Sequence, residues 1–291
     1  MADTLAAQVS ELTNAMIDAT VMAMPQHAVC MNLFEEIKIP KGHNSALIPR
    51  QNSTFTVQTP TEGDEVVTNS QFDLTSTTIS PTLRVIKVRI SERAKYFSKE
   101  DIIRLVKTEL ARAEGQDLDT DLLAEFANFG LTGGSSNTDI TLAVLRTARQ
   151  GLQANTVANG GPAANIVTVL SPLVAENLLT NVGVQGVVSS TNPWIPSGLS
   201  ETFIREYMVQ GAPLLGVPIF QDGYMTENGS ADFICAMASR QALQWVVSKD
   251  WDMRVFEESN WVGPILRTVA DYNSGVGKFS KHGVALTADG V

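Results

Sequence analysis

Apolar residues recur along this chain with two spacings, one typical of helices and one typical of strands. Residues 2–24 carry apolar positions three and four apart, which predicts an amphipathic helix that ends at Pro25. An extended or irregular stretch with Pro40, Gly42 and Pro49 follows. The apolar stripe of the first helix needs a partner, so we expect it to pack on its own core or on another subunit.

A long β-prone ribbon with few charges spans residues 49–97. Thr, Val, Ser and Gln favour extended backbone here, and Pro60 and Gly63 predict a turn between two strands. Residues 51–83 include no Lys or Arg, and their only charged residues are Glu62, Asp64, Glu65 and Asp73. Strands this long have too few large apolar residues to bury themselves as a core. We therefore expect the ribbon to leave its own domain and lie on a neighbour.

Helical spacing begins at Ser98, where the sequence SKED resembles a capping box. Gly115 predicts a kink or break within this segment, and Gly130 predicts its end. The segment carries two apolar stripes, one on either side of Gly115: Ile102, Val106, Leu110 and Ala113, then Leu118, Leu122, Phe126 and Phe129. A second helix is expected over residues 138–153.

The remainder of the chain mixes short strands with helices. Residues 165–170 form a β-branched run, and Ser171 with Pro172 predicts the start of a helix. Further short strands are expected at Pro218–Phe220, Ala231–Met237, Met253–Glu257 and Val262–Ala270. Because strands and helices do not alternate regularly, the predicted fold class is α+β and a doubly wound parallel sheet is disfavoured.

The overall composition excludes several classes of protein. With 291 residues the chain can form one large domain or two of ordinary size. Its formal charge of 21 − 31 = −10 makes a specific nucleic-acid reader a poor interpretation. No run approaches the ~18 apolar residues of a membrane span, and the first residues lack the basic start of a secretory signal. Two distant cysteines, Cys30 and Cys235, make no disulfide framework and fit a reducing cytoplasm.

The charge is unevenly distributed along the chain. Nine of the 21 basic residues fall between Arg84 and Arg112, directly after the purely acidic turn of the ribbon. One interpretation is a solvated helix face. The other is that the acidic turn of one copy lies over the basic stretch of another copy. The candidate inter-subunit contacts are Glu62, Asp64 and Glu65 on the acidic side, and Arg84, Lys87, Arg89, Arg93 and Lys95 on the basic side.

No constellation of catalytic or metal-binding residues emerges from the sequence. A G-x-S-x-G motif is lacking, and His27, His43 and His282 are each expected to be ordinary surface or loop residues. The sequence DLDTD from Asp117 imitates the start of a calcium loop, but Leu122 stands where that loop needs Gly. We therefore predict no catalytic residue, no metal, no cofactor and no enzymatic activity.

The order of these features resembles the major capsid protein of tailed double-stranded-DNA bacteriophages, whose fold is shared with encapsulin shells. The resemblance covers most of the chain and rests on order and spacing rather than on one signature. After the arm and the ribbon, the segments that carry it are FANFGLTG, LAVLRTARQGL, NIVTVLSPLVAENLL, GVPIFQDGYM, ADFICAMASRQALQWVV and RTVADYNSGVGKFSKHGVAL.

The resemblance implies a division of the chain into five parts. These are an N-terminal arm (1–45), an extended β-hairpin loop (46–97), a spine helix with peripheral domain (98–158), an axial domain (159–240) and return strands to the peripheral domain (241–291). The hairpin loop would overlap an adjacent subunit.

The resemblance also implies a function. Copies of the chain would assemble into pentamers and hexamers of an icosahedral shell that encloses double-stranded DNA without sequence-specific binding. A separate scaffolding protein, a portal and possibly a decoration protein would be partners, with no membrane involved. The protein would be located in the virion after assembly in the host cytoplasm. No residue matches the family's covalent crosslink with certainty, so no crosslink is expected.

Two alternatives stay open at this point. An encapsulin-type compartment would use the same fold to enclose cargo enzymes. A non-shell protein, such as a phage adhesin or a tail structural protein, would use the ribbon to bind a host surface. The contents and the size of the purified particles would distinguish them.

Overall fold

The computed structural model describes residues 28–51, 57, 59, 74–91, 93, 102–156, 159–178, 213–228, 232–256, 263 and 265–289. The helices are α1 (Val29–Leu33), α2 (Ile102–Ala124), α3 (Leu142–Gln153) and α4 (172–178), with 3-10 turns at Glu125–Asn128 and Ser280–His282. The strands are β1 (Glu35–Lys38), β2 (Ala46–Gln51), β3 (Leu74–Ile79), β4 (Thr82–Arg89), β5 (Leu131–Gly134), β6 (Ile166–Leu170), β7 (Pro213–Leu214), β8 (Val217–Gln221), β9 (Asp232–Ser239), β10 (Leu243–Phe256), β11 (Ile265–Val276) and β12 (Gly283–Asp289). This mixture of helices and strands confirms the predicted α+β class.

The chain divides into two compact units. The first draws its described residues from Met1–Ala46, Ile79–Leu122 and Trp245–Ser274. Its four-stranded sheet has the order β1-β10-β11-β4, and one face of this sheet packs against α2. The core between helix and sheet contains Leu110 of α2, Met253 of β10 and Leu266 of β11. Alternation along β11 places Leu266, Thr268, Ala270 and Tyr272 on the buried face.

The second unit draws on Leu47–Thr78, Leu123–Gln244 and Gly275–Val291. Its six-stranded sheet has the order β5-β12-β9-β6-β8-β7, with β12 parallel to β5 and antiparallel to β9. Helix α3 contributes the buried residues Leu145, Ala148 and Leu152. Leu215 and Gly216 both have positive φ between β7 and β8, as the tight two-residue turn of a hairpin requires.

Strands β2 and β3 form a separate two-stranded sheet that belongs to the predicted ribbon. Leu47 on β2 and Leu74 on β3 are 65% and 57% exposed, whereas Ile48 and Ile79 on the same strands are buried. The expectation that the whole ribbon leaves its own domain is wrong for β4, because Ile86 and Val88 pack on the core of the first unit. Arg50 of β2 lies over the Phe279 ring, with its guanidinium carbon 5.7 Å from the ring centroid. A cation over an aromatic face is an attractive contact, so it helps to hold the base of the ribbon on the second unit.

Helix α2 confirms the position of the predicted helix but not its interruption. The second apolar stripe, which runs from Leu118 to Phe129, is buried throughout. Of the predicted kink or break at Gly115, the break is wrong, because α2 continues through it without interruption, and the kink stays a prediction. Gly115 is buried, so packing of this face offsets the intrinsic cost of glycine in a helix. In the first stripe Leu110 is buried, whereas Ala113 is exposed.

Several other predictions can be compared with the described residues. Helix α3 begins at Leu142, and the Thr141 hydroxyl accepts a hydrogen bond from the Val144 N–H at its N-terminus. Strand β10 starts at Leu243, ten residues earlier than the predicted strand at Met253. The predicted helix over residues 2–24, the cap at Ser98 and the ribbon turn lie outside the described residues. The five-part division of the chain stays a prediction.

Candidate subunit-contact surface

Strand β4 carries most of the described basic candidates, and its two faces differ. Alternation along the strand leaves Arg84, Ile86 and Val88 partly buried, and Ile86 and Val88 pack on the core below α2. The other face exposes Leu83, Val85, Lys87 and Arg89. The basic residues of this strand therefore point in two directions and cannot act as one patch.

Arg84 points toward α2 and is used within its own chain. Its guanidinium forms ion pairs with Asp121 and with Asp117, the latter at 3.7 Å. It also lies 5.6 Å from the centroid of the Tyr272 ring, whose hydroxyl donates a 2.5 Å hydrogen bond to Asp117. Burial and the neighbouring Asp117 carboxylate raise the pKa of Tyr272, so the phenol stays protonated. Arg84 thus links β4, α2 and β11, which makes it a structural residue.

The middle aspartate of the DLDTD segment, Asp119, has a different role. Asp119 is fully buried and accepts hydrogen bonds from the backbone N–H groups of Val29 and Cys30, at 3.1 and 2.8 Å. A carboxylate at the first N–H groups of a helix satisfies donors that have no partner inside that helix. Asp119 therefore holds α1, and with it the start of the described chain, on the middle of α2.

The exposed side of β4 carries a basic pair that is not apparent in the sequence. In the antiparallel register of β4 and β11, Lys87 lies directly opposite Arg267. Both side chains are exposed, and like charges directly opposite each other destabilise a sheet. The cost of this arrangement falls when an acidic group lies over it. Arg267 escaped the sequence prediction because it lies far along the chain from the basic stretch.

Strand β4 is also an edge strand among the described strands. The sheet order places it beside β11 only, with β1 at the opposite edge. Two exposed apolar residues, Leu83 at 61% and Val85 at 45%, lie on the same face of β4 as the basic pair. A regular edge strand with exposed apolar and basic side chains is a surface that another chain can contact.

The remaining candidate contacts are only partly placed. Arg93 is exposed, just beyond β4. Lys95 and the acidic residues Glu62, Asp64 and Glu65 lie outside the described residues. All eight candidate contacts therefore stay predictions as inter-subunit contacts, and Arg84, Lys87, Arg89 and Arg93 each also interact within their own chain.

Histidine and cysteine side chains are the next candidates for catalytic chemistry. The prediction that His282 is a surface or loop residue is wrong, because it is only 5% exposed and its Nε2 lies 3.1 Å from the Gly161 carbonyl oxygen. Its burial lowers its pKa. Cys30 and Cys235 are both buried and form no disulfide bond, and burial raises the pKa of Cys235 to about 12. A thiol with such a pKa is not a nucleophile at neutral pH.

A cavity of about 520 Å³ lies in the second unit beside α3 and the β7–β8 hairpin. Arg149 lines it, but its guanidinium donates a hydrogen bond to the Leu215 carbonyl oxygen. The cavity's one lining cation thus has a partner within the fold. Among the helices that the structure describes, none combines the length and the apolar character that crossing a membrane requires.

Comparison with solved structures identifies the fold. The chain is similar to the capsid protein of Cyanophage P-SCSP1u, with a TM-score of 0.62, 15% identity and coverage of 87% of this chain and 86% of that one. It is similar to the capsid of the native GTA particle, with a TM-score of 0.65, 13% identity and coverage of 89% of both chains. The virus-like particle from Pyrococcus furiosus matches with a TM-score of 0.58 and 11% identity, over 95% of this chain and 99% of that chain.

These matches show that the chain has the fold of tailed-phage major capsid proteins, as the sequence resemblance implied. No protein-family model matches the sequence, and comparison with curated proteins gives no match. The identities are low, so the relationship is one of fold.

Proposed function

We propose that this protein is a major capsid protein that assembles into pentamers and hexamers of an icosahedral shell around packaged double-stranded DNA. The observation that carries the proposal is the likeness to capsid structures over 87–89% of the chain. Because the similarity extends over most of both compared chains, it covers the main architecture and not only one shared domain. The role is structural rather than enzymatic.

The partners of this shell follow from the same proposal. A separate scaffolding protein and a portal take part in assembly, a decoration protein is a possible addition, and maturation from a procapsid accompanies DNA packaging. The protein is then located in the virion after assembly in the host cytoplasm. Its net charge of −10 suits a container wall, because a strongly basic wall would bind the phosphate backbone.

The described geometry suits contacts between identical subunits. One sequence must make contacts that close into rings of both five and six, so the same surface has to tolerate slightly different angles. Strands β2 and β3, with exposed Leu47 and Leu74, offer a narrow contact element that can do so. Individually weak contacts suffice, because each subunit makes many at once.

Electron microscopy of the purified protein tests the proposal. Closed icosahedral shells are the expected result, and shells purified from the natural source should contain double-stranded DNA. Shells that enclose an enzyme instead would favour the encapsulin-type alternative. The structural similarity to the virus-like particle from Pyrococcus furiosus is compatible with that alternative. A discrete small oligomer without shells would contradict the proposal and favour a non-shell phage protein.

The contact between copies is expected to be electrostatic at one point. We propose that Glu62, Asp64 and Glu65 of one copy lie over the basic pair Lys87 and Arg267 of another. Reversing all three acidic residues to lysine should weaken assembly most at low salt, because exposed charges interact over a screening length of about 10 Å at 0.1 M salt. Light scattering across a salt series measures this effect.

A charge swap supplies the control for that experiment. Lys87→Glu combined with Arg267→Glu should also weaken assembly, and combining these with the reversed acidic residues should restore it. Assembly of the acidic triple variant that equals wild type at both low and high salt would refute the contact. Failure of the swap to restore assembly would show that the acidic residues bind elsewhere.

A further inference from the structure

A buried carboxyl group lies in the helix–sheet layer of the first unit. Glu114 is on α2, one turn from Leu110 and one turn from Leu118, and its exposed fraction is 0%. This face of α2 packs on the inner face of the sheet, where Thr268 of β11 is 1% exposed. Glu114 is thus a polar group inside an otherwise apolar layer.

This carboxyl group has no counter-charge among the residues that the structure describes. Among the described residues, neither of its oxygens has a hydrogen-bond partner of normal geometry, and the same is true of the Thr268 hydroxyl. Burying a carboxylate without a partner is costly, so the neutral acid is favoured. Burial raises the pKa of Glu114 from 4.5 to about 7, and the nearby Thr268 hydroxyl opposes this only in part.

Among the described residues, the other ionisable groups that lie on this side of the sheet form a separate cluster. Asp117 on α2, Arg84 on β4 and Tyr272 on β11 bind one another. From β10 the buried face presents Met253 and Trp251, neither of which ionises near neutral pH. Within the described part of the chain, burial in the layer is therefore the main influence on the charge state of Glu114.

We propose that Glu114 is a pH-sensitive latch between α2 and the four-stranded sheet. The neutral acid lets the helix pack closely on β11, and ionisation places an unpaired charge in the layer, which loosens the helix. This inference concerns the first unit alone and does not depend on the proposed function. If the protein forms a shell, the same latch would make the rigidity of the wall depend on pH.

The direction of the effect follows from the two protonation states. An acid whose pKa is higher in the folded than in the unfolded chain causes no loss of stability at pH values below its unfolded pKa of 4.5. The cost grows as pH rises from there to about 7 and is constant above that. Between about pH 6 and pH 8.5 the opening of the layer should therefore increase roughly tenfold.

Hydrogen exchange of the full chain, followed by mass spectrometry at about pH 6 and pH 8.5, tests the latch. After correction for intrinsic exchange rates, protection of α2 and β11 should fall roughly tenfold in the wild type and stay constant in Glu114→Gln. Glu109→Gln is the matched control, because Glu109 is on the same helix with its side chain 65% exposed, and it should behave as wild type.

Two results would overturn the latch. One is a wild-type protection that does not change with pH, and the other is an equal loss of protection in wild type and Glu114→Gln. If the glutamine variant does not fold, Glu114→Leu replaces it, since an apolar side chain of similar size needs no hydrogen bond in this layer. Its protection should be as constant with pH as that of the glutamine variant.

Discussion

Deletion of residues 54–80 is expected to leave folded subunits or capsomers that no longer close into shells. The deletion removes β3 and the acidic turn, but it ends before β4 begins at Thr82. The four strands of the first unit, helix α2 and the six-stranded sheet therefore remain complete. Among the described residues that the deletion removes, only Ile79 is buried, so the deletion should affect assembly much more than folding. Closed particles should decrease at least tenfold in electron micrographs, consistent with the loss of a contact repeated at every subunit.

The fold of the deletion variant must be checked separately from its assembly. Its circular dichroism and its melting transition should stay close to those of unassembled wild-type subunits, since Leu74 and residues 75–78 are exposed in the single chain. A milder variant with Leu47→Ser and Leu74→Ser keeps the length of the ribbon and should reduce shell formation in part. Wild-type shells from the deletion variant would refute the assignment of the ribbon as a contact arm.

The sequence predicted those elements whose apolar spacing is regular and whose burial is local. Leu118 and Leu122 are buried because a helix brings residues four apart onto one face, whatever the rest of the fold does. Phe126 and Phe129 are buried too, but they lie beyond the end of α2. Strand β6 was predicted for a similar reason, as a short β-branched run between turn residues. These predictions needed no knowledge of distant residues.

Long-range pairing explains what the sequence could not predict. Strand β10 begins early because Leu243–Val247 is buried, whereas the following residues 248–250 are charged or polar and exposed, and so resemble a loop. His282 follows Ser280 and Lys281, which favour a surface position, yet its hydrogen-bond partner Gly161 is 121 residues away. Neither the start of β10 nor the burial of His282 can be recognised from the residues next to it in the sequence.

The candidate contact surface also depends on long-range pairing that the sequence could not predict. Arg84 and Lys87 are three residues apart and looked equivalent in the sequence, but strand alternation separates them. One faces the aspartates of α2 and the other faces Arg267 of β11. The basic stretch stays a prediction as a contact surface, and only the register could show which of its members share a face.

Replacing Arg84 by methionine should destabilise the first unit by about 2–3 kcal/mol, because the partly buried Asp117 and Asp121 lose their cation. Arg84→Lys keeps the charge but loses the planar contact on Tyr272, so it should have an intermediate effect. Urea unfolding of unassembled subunits measures the loss. Trp251 reports on this region by fluorescence, since its ring lies 5.8 Å from that of Tyr272.

Arg267→Met is the matched control for this experiment, since Arg267 is exposed on the neighbouring strand and lies opposite Lys87. Its effect on unfolding should stay within about 0.5 kcal/mol, because the substitution also relieves the repulsion between two like charges. Arg267→Met should affect assembly more than stability, whereas Arg84→Met should affect stability more than assembly. Equal stability of the Arg84→Met and Arg267→Met variants would contradict the structural role of Arg84 and return it to the candidates for subunit contact.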